Sequence, residues 1–230
     1  MLSADSPISP TIETEGDSAM RVTFADTISL SALDVVRRFA AALEAKALMG
    51  VREIVPSYCS VTIYYDVLTT DWRELQTIVE AIDYSDATVA SAARILEIPV
   101  CYDDVYAPDL GDVAEMHGMS INAVIEMHAQ AEYIVAAVGF VPGFTYLYGL
   151  PPALETPRLA TPRLRVPPGS VAIGGGQTGI YPMETPGGWR IIGNTPVRLF
   201  DASGDEPALL RPGDRVRFRR IGIEEHMISA

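Results

Sequence analysis

The chain has 230 residues, a formal net charge of −13 and a hydrophobic fraction of 48%, enough for one large domain or two small ones, each with a core. The acidic balance argues against a nucleic-acid partner, since phosphate contacts need a basic face. No apolar run approaches the roughly 20 residues that span a bilayer, so no membrane partner is expected and the cytoplasm is the default compartment.

Residues 1–19 are acidic and rich in Ser, Thr and Pro. They lack the basic-then-apolar order of a signal peptide and read as a flexible tail. Arg21 to Ala25 reads as a short strand. A helix follows from Ser31, with Asp34 at capping-box spacing. Leu33, Val36, Ala40, Leu43 and Ala47 repeat at helical spacing, and Gly50 ends the run. Lys46, the only lysine, lies on this helix and reads as a surface residue. Arg52 to Val55 predicts a strand. From Cys59 the chain alternates, with Cys59, Val61, Ile63 and Tyr65 on one face. Asp71 caps a second helix, and Arg94 to Tyr102 predicts another strand. The order β-α-β-β-α-β over residues 20–105 is that of a ferredoxin-like split β-α-β unit.

Residues 106–132 read as a helical connection: one helix from Asp109 to His117, stopped at Gly118, and a second capped by Ser120. His128 shares an apolar face with Val124 and Ile125. It is either a hydrogen-bonded core histidine or a ligand contact. Tyr133 to Phe140 predicts a buried strand, followed by a Gly/Pro-rich stretch and strands at Trp189–Ile192, Val197–Phe200 and Asp214–Ile221. Many short strands separated by turn residues predict a compact β-barrel over 133–230. The fold class is thus α+β, an N-terminal ferredoxin-like α/β domain followed by a β-barrel domain.

Cys59 and Cys101 read as buried free thiols. His117, His128 and His226 show no metal-ligand spacing, so no metal is expected. Gly174 to Gly179 invites a phosphate-loop reading, but no lysine follows and Ile180-Tyr181-Pro182 argues against a helix. These glycines serve either a turn alone or a turn a ligand can approach. Thr156-Pro157-Arg158-Leu159 and Thr161-Pro162-Arg163-Leu164 form a local repeat. Each proline stiffens the chain beside an arginine, which suits carboxylate or phosphate recognition; pairing with one of the chain's many acids is the alternative. Phe140, Pro142, Phe144 and Tyr146 follow a buried strand and suit either core packing or a flat ligand.

These segments resemble the family of 5-oxoprolinase B subunits, also called the KipI or allophanate hydrolase subunit 1 family. The resemblance rests on Gly139 to Leu150, Pro157-Arg158, Pro162 to Val171, Gln177 to Pro182, Pro186 to Trp189, Leu199-Phe200 and Pro212 to Phe218, in order along about residues 20 to 220. It implies a cyclophilin-like barrel and a place in a complex. Family members act together with the A and C subunits of 5-oxoprolinase to open 5-oxoproline to glutamate at the expense of ATP. The implied partners are the C subunit in direct contact, the A subunit, and a small cyclic amide; ATP is used by the complex and not held by this chain alone. The chain would be a non-autonomous component of the enzyme. Candidate substrate or interface residues are His128, Phe140, Pro142, Tyr146, Arg158, Arg163, Gln177, Thr178, Tyr181 and Asn194. Two other readings stay open: a KipI-like inhibitor of a sensor histidine kinase, and a urea- or allophanate-type amidohydrolase or carboxyl-transfer partner. The chain departs from the family pattern at Thr145, Tyr148 and Asn194, where proline, glycine and arginine are usual.

Overall fold

A computed structural model describes residues 10–85 and 94–229. The chain divides between Ala92 and Ala93 into two compact units. The first contains β1 (Thr11–Thr14), β2 (Ala19–Thr23), α1 (Leu30–Glu44), β3 (Val51–Ser57), β4 (Ser60–Tyr65) and α2 (Trp72–Glu80). Its sheet runs β1-β2-β4-β3, antiparallel throughout. Helix α1 joins β2 to β3 with β4 between them, which is the split β-α-β connection the sequence predicts. Alternation on β4 buries Val61, Ile63 and Tyr65 against Val36, Phe39 and Leu43 of α1 and Leu75 and Val79 of α2.

Three details differ from the sequence reading. The cap of α1 is Ser29, whose hydroxyl accepts from the Ala32 amide, not Ser31. Ser31 instead hydrogen-bonds Ser29. Within the expected tail, Thr11–Thr14 is a strand; residues 1–9 lie outside the described residues. This strand fills the sheet edge that Arg94–Tyr102 was expected to fill. The predicted domain boundary at 105 is corrected accordingly, because β5 (Ile95–Cys101) belongs to the second unit. Its pairing explains why. It runs parallel to β13 (Arg215–Ile221) along its whole length, and Arg94 makes a two-pronged ion pair with Asp214 just before β13.

The second unit continues with α3 (Leu110–Met116), α4 (Ile121–Gln130), β6 (Glu132–Val138), β7 (Thr145–Tyr148), β8 (Arg163–Val166), β9 (Ser170–Gly174), β10 (Gln177–Ile180), β11 (Thr185–Gly187), β12 (Arg190–Asn194) and α5 (Ile223–Ser229). Seven strands close into a barrel in the order β10-β7-β6-β13-β5-β12-β9, so none of the seven is left as an open edge. The predicted strand at Val197–Phe200 is only an isolated bridge from Phe200 to Ala208. Helices α3 and α4 are not a connection between domains. Leu110, Val113, Val124 and Ile125 join the barrel core with Tyr133, Leu147, Ile173 and Phe218. Strands β8 and β11 form a separate two-stranded flap.

Candidate functional site

The barrel wall has two faces because side chains alternate along each strand. On β7, β9, β10 and β12 the inner face carries Leu147, Val171, Ile173, Ile180 and Ile192. The outer face carries Ala172 and Ile191, joined by Phe144, Tyr181 and Trp189 and bordered by Tyr146. The glycines of the Gly174–Gly179 segment serve this outer face. Gly175 and Gly176 make the turn of a β9–β10 hairpin, with Gly175 at φ +65°. A Cβ on Gly174 would lie 2.5 Å from the Trp189 ring, and one on Gly179 2.7 Å from the Thr145 carbonyl. The glycines thus admit an aromatic ring against the sheet. No helix follows this loop, so it offers no phosphate cradle.

Above this face, beside flap strand β11, lies a partly open cavity of about 380 Å³. Phe140, Phe144, Tyr146, Tyr181 and Trp189 form its aromatic wall; Arg158, Pro162 and Thr185 to Gly188 complete it. Phe144 is the hub, with ring centroids 4.8 Å from Tyr146, 4.9 Å from Tyr181 and 5.6 Å from Trp189, all edge-on. Phe140 stands at the edge with 63% of its surface exposed. Its backbone is left-handed, φ +71°, which costs a non-glycine residue of order 1 kcal/mol. Burial pushes the Tyr146 phenol up against an opposing pull from Arg158, and the Tyr181 phenol up against a hydrogen bond from the Trp189 amide and a smaller pull from Arg158, so both stay protonated at neutral pH.

The two repeat arginines have different fates. Arg163 opens β8 and donates to Asp109 at 2.6 Å. Asp109 is buried, and its second oxygen accepts from the Ile191 amide at 2.6 Å. This explains why Asp109 begins α3 without capping it with its side chain. The clamp ties the flap to α3 and β12. Arg190 adds a second tie, to Asp112 at 3.2 Å and the Pro157 carbonyl at 3.3 Å. Arg158 is exposed and lies over Trp189, 5.6 Å from its ring centroid. Among the described residues it has no acid within ion-pair distance.

Four of the ten sequence candidates line the cavity: Phe140, Tyr146, Arg158 and Tyr181. Pro142 is exposed in the adjoining loop, and Gln177 sits at the hairpin end of β10, outside the lining. Thr178 faces the inner core. There it meets His128, which is fully buried, with Nδ1 2.8 Å from the Tyr102 hydroxyl and Nε2 3.0 Å from the Thr178 hydroxyl. The His128 ring stacks on Phe218 at 4.7 Å. Burial lowers its pKa to about 3, so it is neutral. Of the two readings of His128, the geometry is that of a core histidine. Asn194 holds structure too: its amide donates to the Pro168 carbonyl at 2.9 Å and its oxygen meets His226 Nε2 at 2.7 Å. Thr145 points into the core, where its hydroxyl is buried with no hydrogen-bond partner, and Tyr148 is half-buried. Both cysteines are free; Cys101 is buried as expected, whereas Cys59 is only half-buried, and burial pushes both thiols up, away from nucleophilic reactivity.

Sequence reasoning missed Asp109, Asp112 and the flap lining Thr185 to Gly188 as parts of the site. The Pro-Gly-Gly-Trp run was a usable signal for the last of these. Nothing local marks Asp109, whose partner is 54 residues away.

The family model described as carboxyltransferase domain, subdomain C and D, matches residues 10–210. The chain is 38% identical to the B subunit of 5-oxoprolinase from Bacillus subtilis (strain 168) over 227 residues, 94% of each chain. It belongs to the 5-oxoprolinase B-subunit family of carboxyltransferase-domain proteins. The solved structure of TTHA0988 superposes with a TM-score of 0.79 at 37% identity, covering 88% of this chain; the chain spans only 40% of that protein. Urea amidolyase of K. lactis shares the fold, with a TM-score of 0.80 at 22% identity over 99% of this chain and 16% of its own length. No helix among the described residues is long and apolar enough to cross a membrane.

Proposed function

We propose that this chain is the B subunit of an ATP-dependent 5-oxoprolinase, acting with the A and C subunits of that enzyme to open 5-oxo-L-proline to L-glutamate. The end-to-end match to a relative named as a 5-oxoprolinase B subunit carries this reading. In the reaction the ring C–N bond breaks and water adds: the lactam carbonyl becomes a carboxylate and the ring nitrogen an amine. A second water takes the γ-phosphoryl of ATP, giving ADP and phosphate. In this reading nucleotide binding is assigned to the partners; the glycine-rich run Gly174 to Gly179 serves as a hairpin turn. The flap cavity, edged by Phe140 and Arg158, is the part of this chain offered to substrate and to the C subunit. An aromatic cavity with one cation suits a flat, weakly polar ring.

The test is ATP-dependent glutamate release from 5-oxoproline by this chain mixed with the A and C subunits of its own organism. Activity that needs all three chains is the expected result. A stable complex without activity would sink the substrate assignment. Absence of any complex would move the reading to a regulator that binds a kinase. The urea-type reading has the shared fold behind it and 25% identity over 212 residues to urea amidolyase of Saccharomyces cerevisiae, 11% of that protein's length; a biotinylated partner co-purifying with the chain would raise it.

A further inference from the structure

The cavity contains one cation that the fold has not neutralised. Arg163 is matched by Asp109, Arg190 by Asp112, and Arg165 lies 3.7 Å from Glu184. Arg158, in the first copy of the same repeat, has only the Trp189 face, 5.6 Å from its ring centroid. Its N–H edge has no hydrogen-bond partner among the described residues, in a chain whose net charge is −13. Around it stand the phenols of Tyr146 and Tyr181 and a wall of aromatic and glycine residues. A guanidinium fork presents two parallel N–H donors, which match the two oxygens of a carboxylate. One unmatched charge suits a monoanion. A phosphate dianion would call for a second cation, and Arg158 is the one cation among the lining residues. Protonated phenols can donate to a carbonyl or ether oxygen on the rest of the ligand. A cavity of about 380 Å³ with aromatic sides takes a single small ring.

We infer that this chain by itself binds the carboxylate of a small, flat ring acid in the flap cavity, with Arg158 as the anion anchor and Trp189 as the surface that holds the guanidinium in place. Arg163 is a positioning residue, held by Asp109 so that the flap is fixed beside the cavity. The proposed function enters through the choice of probe, 5-oxo-L-proline, and the anion site itself rests on the geometry.

The experiment is a titration of the full chain with 5-oxo-L-proline and with its carboxamide, which keeps the ring and loses the charge. Calorimetry gives the affinity. Tryptophan emission in a Trp72→Phe background reports from Trp189, the remaining one of the two tryptophans. The acid is expected to bind about tenfold or more tightly than the amide, with a change in Trp189 emission. Arg158→Gln should weaken the acid about tenfold or more and leave the amide unchanged. Arg158 is exposed, so an unchanged melting temperature will show that the variant is folded. No saturable binding of the acid, equal binding of acid and amide, or an Arg158→Gln variant with unchanged affinity would each overturn the inference. The two proposals separate cleanly. Turnover by the three-chain complex without acid binding to this chain removes the inference and leaves the proposed function. Acid binding here with no turnover does the reverse.

Discussion

The inner and outer faces of the barrel wall use the same kinds of residue to opposite ends. Inside, His128 is enclosed between the Tyr102 and Thr178 hydroxyls, and Thr178 also donates to the Ala172 carbonyl at 2.9 Å. Both ring nitrogens are occupied, and burial keeps the imidazole neutral at neutral pH. Outside, Tyr146 on β7, Tyr181 just after β10 and Arg158 in the loop before β8 surround open volume. The closed network specifies the core; outside it, the guanidinium edge of Arg158 has bonding capacity left for a ligand. A polar residue in this chain is therefore best judged by which face of β7 or β10 it occupies.

The strongest way to break this contrast is acid. The folded-state pKa of His128 is about 3, depressed by burial from the ordinary 6.5. His226 is shifted in the same direction for the same reason. The unfolded chain therefore takes up protons that the folded chain does not. Stability is full above pH 6.5 and falls as pH drops from there toward 3, by about 1.4 kcal/mol per pH unit for a single such histidine. Urea unfolding across that range in wild type and in His128→Gln should show a flatter profile for the variant. Identical slopes would mean that His128 is not the buried neutral group described here.

Next in size is the flap clamp. Asp109→Ala removes the partner of Arg163 and the acceptor for the Ile191 amide together, and should cost about 3 kcal/mol. Denaturant midpoints check this, and a loss below about 1 kcal/mol would show the clamp to be dispensable. Gly179→Ala puts a methyl 2.7 Å from the Thr145 carbonyl and 3.0 Å from the Trp189 ring. A cost of about 1–3 kcal/mol and a shifted Trp189 emission are expected. Arg158→Gln should change stability least, by less than about 0.5 kcal/mol, while producing the ligand effect described above.

How much of this was legible in the sequence follows from the range of the interactions. The caps at Asp71 and Ser120 were readable because a cap bonds within three residues; Asp71 accepts from the Arg73 and Glu74 amides and Ser120 from the Ala123 amide. The turn at Gly175 was readable for the same reason. The assignment of Ile95–Cys101 to one sheet or the other was not. Its local pattern suits either, and the deciding contact, Arg94 with Asp214, spans 120 residues. Likewise the Thr-Pro-Arg repeat marked both Arg158 and Arg163 as stiffened arginines. Only tertiary structure shows that Asp109 neutralises one and leaves the other facing the cavity. The run Phe140 to Tyr146 was marked in the sequence, and Phe140, Phe144 and Tyr146 all line the cavity. That Phe144 packs as their hub while Phe140 stays exposed depends on the left-handed turn at Phe140, a backbone state that its side chain does not announce.

Whether the outer cavity serves the chemistry of a 5-oxoprolinase is tested most directly by the rate of ATP-dependent glutamate formation. The complex is assembled with the A and C subunits, and wild type is compared with Arg158→Gln at equal complex concentration. The wild-type complex is expected to be active. The variant is expected to form an intact complex whose kcat/KM for 5-oxo-L-proline falls about tenfold or more. Unchanged kcat/KM in the variant, or no glutamate from a fully assembled wild-type complex, would contradict it.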